Sequence, residues 1–254
     1  MTTFLKNHKK KIIYISSILS IILILIIANM FANFIIPTQT FTTSISSNSF
    51  QMYLISLSKS QIESEAKSHS ADFQEIGGGG YIWKQDDYYH IIASAYLNKA
   101  DAELVQNSIK LNQNLTSEIL TISFNNYTIY GNFSSEENKV ISDLLSACTN
   151  FYSSIYDIAI SLDTSVCNEI SAKLAVNSAH HDFSTTIANF NTIFSPHLPS
   201  NLSPVYALAL KGYKIGEKLV SGELINTNQN YSSLLKYRYL EIMNLYYNFC
   251  LEEK

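Results

Sequence analysis

The chain has 254 residues, a formal net charge of −4, and 46% hydrophobic and 12% aromatic side chains, enough apolar material for a sizeable core. All 21 acidic residues lie beyond position 36, and four of the 17 basic ones precede it, so the part after position 36 carries 13 basic against 21 acidic side chains, a net −8. That sign argues against nucleic acid, whose phosphates require a basic surface, and equally against anionic wall polymers.

Residues 1–11 form a short tail with Lys6, Lys9, Lys10 and Lys11. Residues 12–36, Ile12 to Ile36, hold no charged side chain and are packed with Ile and Leu from Ile18 to Ile27. At about 1.5 Å per residue, a helix over this run exceeds the roughly 30 Å hydrocarbon core. It satisfies its own backbone in lipid, so a transmembrane helix is expected. No Lys or Arg follows until Lys59, which places the N-terminus in the cytoplasm and the bulk of the chain outside it. A cleaved signal peptide would have a shorter apolar stretch, about 7–15 residues, and a small-x-small cleavage site. Ala28-Asn29-Met30 and Ala32-Asn33-Phe34 do not supply one. Residues 37–49 are polar and uncharged and read as a linker.

Residues 50–130 read as a first domain. Gln51–Ser58 alternates like a strand, with Tyr53, Ile55 and Leu57 on one side. Ser60–Ile76 reads as a helix with Ile62, Ala66 and Phe73 inward, closed by the run Gly77–Gly80. Tyr81–Lys84 and Tyr88–Tyr96 read as a strand pair around a turn at Gln85-Asp86-Asp87. Asn98 is a good N-cap for a helix over Lys99–Leu111, with Ala102, Val105 and Ile109 inward. Glu118–Phe124 closes as a strand. The order βαββαβ predicts a ferredoxin-like, four-stranded antiparallel sheet with both helices on one face. The other face is then open, a natural place for a ligand.

Residues 134–254 show helical periodicity throughout and predict an all-α domain like a four-helix bundle. Ile141, Leu144, Leu145, Cys148, Tyr152, Ile155, Ala159 and Leu162 form the first stripe. Ile170, Leu174, Phe183, Ile187 and Phe190 form the second. Leu208, Ile215 and Leu219 mark a third helix, and Leu234, Leu235, Ile242, Leu245 and Phe249 a fourth. The fold class is therefore α+β: an N-terminal transmembrane helix, a βαββαβ sheet domain and a helical domain.

The first domain resembles the SPOR (sporulation-related) domain over residues 52–124. Three stretches carry the likeness: Met52-Tyr53-Leu54-Ile55-Ser56-Leu57-Ser58, Gly79-Gly80-Tyr81-Ile82-Trp83-Lys84, and Tyr88 to Tyr96 running into Asn98-Lys99-Ala100-Asp101-Ala102-Glu103. The second of these is similar to the Gram-positive members. The resemblance implies binding to peptidoglycan glycan strands that have lost their stem peptides, in cell division or sporulation. Ser56 stands where members commonly carry Gln, Ser60 where they carry an aromatic, and Ile92 where the residue is often polar. By the period of two, Leu54, Ser56, Ser58, Tyr88, His90, Ile92 and Ser94 are expected on the open face. Trp83 suits either the core or a platform for a sugar ring.

The remaining features point away from catalysis. Adjacent residues of a helix project about 100° apart, so His180 and His181 of His180-His181-Asp182 cannot chelate one ion together, and a solvated helix face is expected. The run Gly77–Gly80 follows a helix, whereas phosphate loops follow a strand, so it reads as a flexible turn. Cys148, Cys167 and Cys250 show no CxxC spacing; they suit small buried residues or one disulfide of undecided pairing. No catalytic residue, metal or cofactor is expected. The competing expectation is an envelope structural or signalling subunit that works by protein contacts through its helical domain.

Overall fold

The computed structural model describes residues 43–252 apart from 196, 226 and 228. The expected tail 1–11, the expected span 12–36 and the first part of the expected linker, 37–42, lie outside the described residues. Among the described residues no helix is long and apolar enough to cross a membrane. The described residues form one compact α+β unit.

Its elements in order are β1 (Thr43–Ser46), β2 (Phe50–Ser60), α1 (Glu63–Glu75), β3 (Tyr81–Gln85), β4 (Tyr88–Tyr96), α2 (Lys99–Gln113), β5 (Glu118–Phe124), β6 (Thr128–Gly131), α3 (Ser135–Asp163), α4 (Glu169–Phe194), a 3-10 turn (Ser200–Leu202), α5 (Ser203–Ser221) and α6 (Tyr231–Glu252). The strands β2 to β5 form one sheet in the order β3-β4-β2-β5, every neighbouring pair antiparallel. This is the βαββαβ arrangement that alternation and turn chemistry predict. Local signals fix the helix ends. The Asn98 side chain accepts from the Ala100 N–H at 3.0 Å. Ser134 and Glu137 form a reciprocal capping box on α3. Asn168 accepts from the Ser171 N–H at 2.9 Å on α4.

Four expectations need correction. The linker 37–49 contains β1, which pairs with β6 from Thr43 opposite Gly131 to Ser46 opposite Thr128. The Ser46 and Thr128 hydroxyls lie 3.0 Å apart across it. A short polar strand without apolar alternation carries no sequence signal, and only its partner reveals it. In the stripe assigned to α4, Ile170 and Leu174 are exposed, and Ala172 and Val176 are buried instead. Leu174 and Phe183 are nine positions apart, which at about 3.6 residues per turn puts them on opposite sides of the helix. Ile62 is likewise exposed, because the helix begins one residue after it.

The third correction concerns the glycines. The run Gly77–Gly80 is clasped by α6. Lys236 Nζ donates to the Gly77 carbonyl at 2.8 Å and pairs with Asp163 at 2.7 Å. The Ser233 hydroxyl donates to the Gly78 carbonyl at 2.5 Å. The Gly79 N–H donates to the Ala93 carbonyl at 2.7 Å. Gly80 sits at φ +66°, and a Cβ there would lie 2.5 Å from the Ser70 carbonyl oxygen. Glycine is required at this position by both conformation and space.

The fourth concerns the domains. One hydrophobic core runs through the sheet and the helices, joining Met52, Leu54, Trp83, Ile92 and Phe124 to Ile141, Leu144, Leu234, Leu240 and Met243. The second face of the sheet, the one turned away from α2, is covered by helices rather than open. A smaller cluster, Ile55, Ala93, Tyr96 and Ala102, lies under α2. The expected boundary between 50–130 and 134–254 therefore does not divide two cores.

Burying Leu54, Ile92 and Trp83 contributes about 1.5–3 kcal/mol each. Their sum rivals the roughly 5–15 kcal/mol net stability of a typical domain. A fragment spanning 43–131 should accordingly lack cooperative unfolding and near-ultraviolet circular dichroism when expressed alone. Co-expression with 134–254 should restore both; a 43–131 fragment that melts cooperatively by itself would refute the shared core. Gly80→Ala in the full chain should lower stability by about 1–3 kcal/mol or more, given the left-handed backbone and the contact with Ser70, readable as a shift in the denaturation midpoint.

Candidate functional site

Residues directly opposed in an antiparallel pair share a face. Leu54 opposes Ala95, Ser56 opposes Ile92, Tyr81 opposes Ile92, and Trp83 opposes His90. Leu54, Ser56, Trp83, His90 and Ile92 thus share the face expected to bind ligand. Ser58 and Ser94 do not. The register shifts between Ile55 and Ser56 and again between Ser56 and Ser58, so Ser94 opposes Ile55 and Ser58 opposes Ile91. The irregularity turns both serines toward the side of α1 and α2. Ser94 donates to the Tyr96 hydroxyl at 3.2 Å, and the Ser58 hydroxyl lies 3.5 Å from His69 Nδ1 on α1.

The shared face is not free for a ligand along most of its length. Leu54 and Ile92 are fully buried and Trp83 is 1% exposed. The rings of α6 lie against them: Tyr247 against Trp83 at 5.5 Å and Tyr237 against Tyr81 at 5.2 Å. Asn244 Nδ2 donates to the Tyr81 hydroxyl at 2.8 Å, and the Tyr239 hydroxyl donates to Met52 Sδ at 3.4 Å. Trp83 resolves as a core residue.

One end of that face stays polar. His90 Nδ1 lies 3.4 Å from the Ser56 hydroxyl and 3.3 Å from Glu118 Oε1. Glu118 also pairs with Lys59 at 3.4 Å, and the Lys59 ammonium sits 5.5 Å from the centre of the half-exposed Tyr88 ring. A cleft of about 260 Å³ adjoins this group, lined by Ser56, Ser58, Lys59, Thr116 and Glu118. Serine, histidine and glutamate together suggest a nucleophile relay, but the geometry is wrong for one. Serine and carboxylate both face the same ring nitrogen, whereas a relay takes the proton on one nitrogen and orients the ring through the other. The Ser56 hydroxyl instead donates to the Ser58 carbonyl at 3.1 Å. Burial lowers the His90 pKa, and Lys59 adds to this, against the opposing pull of Glu118. Burial thus favours the neutral His90 ring over a full ion pair with Glu118.

A second depression lies where the β1–β2 segment meets α3, a groove of about 570 Å³. Ile45, Phe50, Leu145 and Tyr152 give it apolar surface. Its polar lining comes from Ser46, Asn48, Gln51, Ser142, Ser146 and Thr149. Sequence reasoning missed it, because it forms only where β1, read as linker, comes beside a helix assigned to another domain.

The other reactive side chains are placed for packing. Cys148, Cys167 and Cys250 are free thiols. Burial pushes Cys148 up to about 12 and Cys250 up to about 11, so neither is a thiolate at neutral pH. His180 is not on a solvated face: its ring lies 4.7 Å from that of Tyr213 and 6.4 Å from that of Phe151. Among the described residues no three His, Cys, Asp or Glu side chains gather as a metal site. The site and fold together describe an α+β unit whose four-stranded antiparallel sheet is enclosed between its own two helices and a helical array. Comparison with protein-family models, with curated proteins and with solved structures finds no match to this chain.

His90 supplies a pH test. Its folded pKa lies below the ordinary 6.5, so the unfolded chain binds that proton more readily. The neutral buried ring contributes stability that is fully present above pH 6.5 and is lost as pH falls toward and through the folded pKa. His90→Gln should flatten the decline in Tm between about pH 6.5 and about pH 5. A slope identical to that of the parent would show that His90 ionisation is not coupled to folding.

Proposed function

We propose that this chain is a membrane-anchored, extracytoplasmic envelope protein that binds peptidoglycan glycan strands lacking stem peptides, in cell division or sporulation. The observation that carries the reading is the sheet itself. The three stretches resembling the SPOR family, Met52–Ser58, Gly79–Lys84 and Tyr88–Glu103, fall on the successive strands β2, β3 and β4, the last running on into α2, of an antiparallel βαββαβ sheet in the order β3-β4-β2-β5. The uncharged run at Ile12–Ile36, with four lysines before it and no Lys or Arg after it until Lys59, supports the compartment. Ile92, which departs from the often polar residue of the family, is fully buried beneath the helical array. Its departure thus reflects a covered face. Ligand contact is left to surfaces at the margins of the sheet, of which the exposed Lys59 and Tyr88 end, beside the buried Ser56 and His90, is one.

A second reading is favoured by a different observation. Ile170 and Leu174, one turn apart on α4, and Val166 in the connection before it are 72%, 66% and 79% exposed, apolar surface suited to protein contacts through the helical part. Sacculus binding separates the two. The full chain in detergent should be retained by purified sacculi, and more strongly after amidase treatment has removed the stem peptides. Equal absence of retention on treated and untreated sacculi would overturn the glycan reading and leave the protein-contact reading in its place.

A further inference from the structure

We infer that the groove between the β1–β2 segment and α3 seats a neutral N-acetylhexosamine unit of the glycan strand. The inference rests on the glycan reading above and moves the contact away from the covered sheet face. Its first support is charge. The outer part of the chain is net −8, yet none of the twelve residues lining the groove is Asp, Glu, Lys, Arg or His. Such a lining rejects ions, which would lose hydration without gaining a counter-charge, and suits a ligand rich in hydroxyls and amides. In a strand stripped of peptides, alternate sugars carry a lactyl carboxylate and the sugars between them are neutral. The uncharged groove matches the neutral ones.

The second support is the disposition of polar groups. Ser142, Ser146 and Thr149 follow at intervals of four and three along α3 and so share one face of that helix. Hydroxyl residues are mediocre helix formers, and nothing in the core requires them here. Thr149 donates to carbonyls of its own helix, and Ser46 is engaged with Thr128. The side chains of Asn48, Ser142 and Ser146 make no hydrogen bond among the described residues and stay exposed on the groove. An amide on one wall and two hydroxyls on the other can serve the hydroxyls and acetamido group of a sugar as both donors and acceptors. The third support is the apolar surface. Half-buried Ile45 and Phe50 and exposed Leu97 line the groove beside its polar groups, and apolar surface next to polar handles suits the C–H face of a pyranose. The volume of about 570 Å³ falls within the roughly 300–1,000 Å³ common for small-molecule sites.

The test uses the full chain in detergent with two probes, amidase-treated sacculi and the neutral N-acetylglucosamine tetramer. Ser146→Trp fills the groove from an exposed helical position, and the pair Asn48→Ala with Ser142→Ala removes its free polar groups. Each should keep the parent's circular dichroism and Tm. Ser146→Trp should weaken both interactions at least tenfold and the alanine pair threefold or more, whereas Leu111→Ala, at an exposed position of α2 that does not line the groove, should change tetramer binding less than twofold. If Ser146→Trp misfolds, the alanine pair carries the test. A parent that binds treated sacculi while the folded groove variants bind as tightly would overturn the groove and spare the glycan reading. Sacculus binding without tetramer binding would overturn the neutral-sugar assignment. A parent that binds neither probe would overturn both the groove and the reading beneath it.

Discussion

The packing of α6 against the sheet is the constraint on which the rest of this structure depends. A small sheet with two helices on one side has a second side to dispose of, either wetted by polar residues or covered. Here Tyr237, Tyr239, Tyr246 and Tyr247 of α6 bring an aromatic layer to Met52, Tyr81, Trp83 and Phe124. The hydrogen bonds of Lys236 and Ser233 to the glycine carbonyls fix where along the sheet the helix lands. Glycine at Gly79 lets it come close: a Cβ there would approach Leu240 Cδ1 to 3.2 Å. Large apolar area supplies the driving force, and a few directional bonds supply the register.

Much of the βαββαβ part was legible. Alternation at Tyr53 and Ile55, the Asn98 cap and the Gln85–Asp87 turn each placed an element where the structure has it. The stripe from Ile141 to Ala159 was equally plain, because a long amphipathic helix repeats its signal many times. The covering of the second face was also written in the chain, though read otherwise. From His90 to Tyr96 every residue of β4 is buried, and His90-Ile91-Ile92-Ala93-Ser94-Ala95-Tyr96 is the near-continuous apolar run expected of a strand enclosed on both sides. A sheet with one wetted face alternates. This strand does not, and both of its faces are enclosed.

What sequence could not supply was pairing. Thr43–Ser46 has no apolar rhythm, and only the approach of Thr128–Gly131 makes it a strand. The register irregularity in β2 and β4 leaves no local mark either, yet it decides that Ser58 and Ser94 leave the face on which Ser56 and His90 remain. Both failures are of one kind, since each depends on a contact between segments distant in the chain. The candidate site shares the difficulty. Glu118 joins His90 because β5 lies on the far side of β2, and the groove joins Asn48 to Ser142 across 94 positions of sequence.

The distance in sequence between α6 and the sheet it covers has a further consequence for biogenesis. A polypeptide emerges N-terminus first, whether from the ribosome or through a membrane pore, and domains generally close as units during emergence. The sheet strands are complete by Phe124, but the helix that covers their second face begins only at Tyr231. For about a hundred residues of elongation, Leu54, Trp83 and Ile92 have no cover, and the nascent chain presents a sticky aromatic surface to whatever meets it. Ordering contacts this distant in sequence is slow. The unit thus carries a built-in delay between synthesis and closure, and a chain cut short anywhere before α6 retains the marks by which quality-control machinery recognises an unfinished protein.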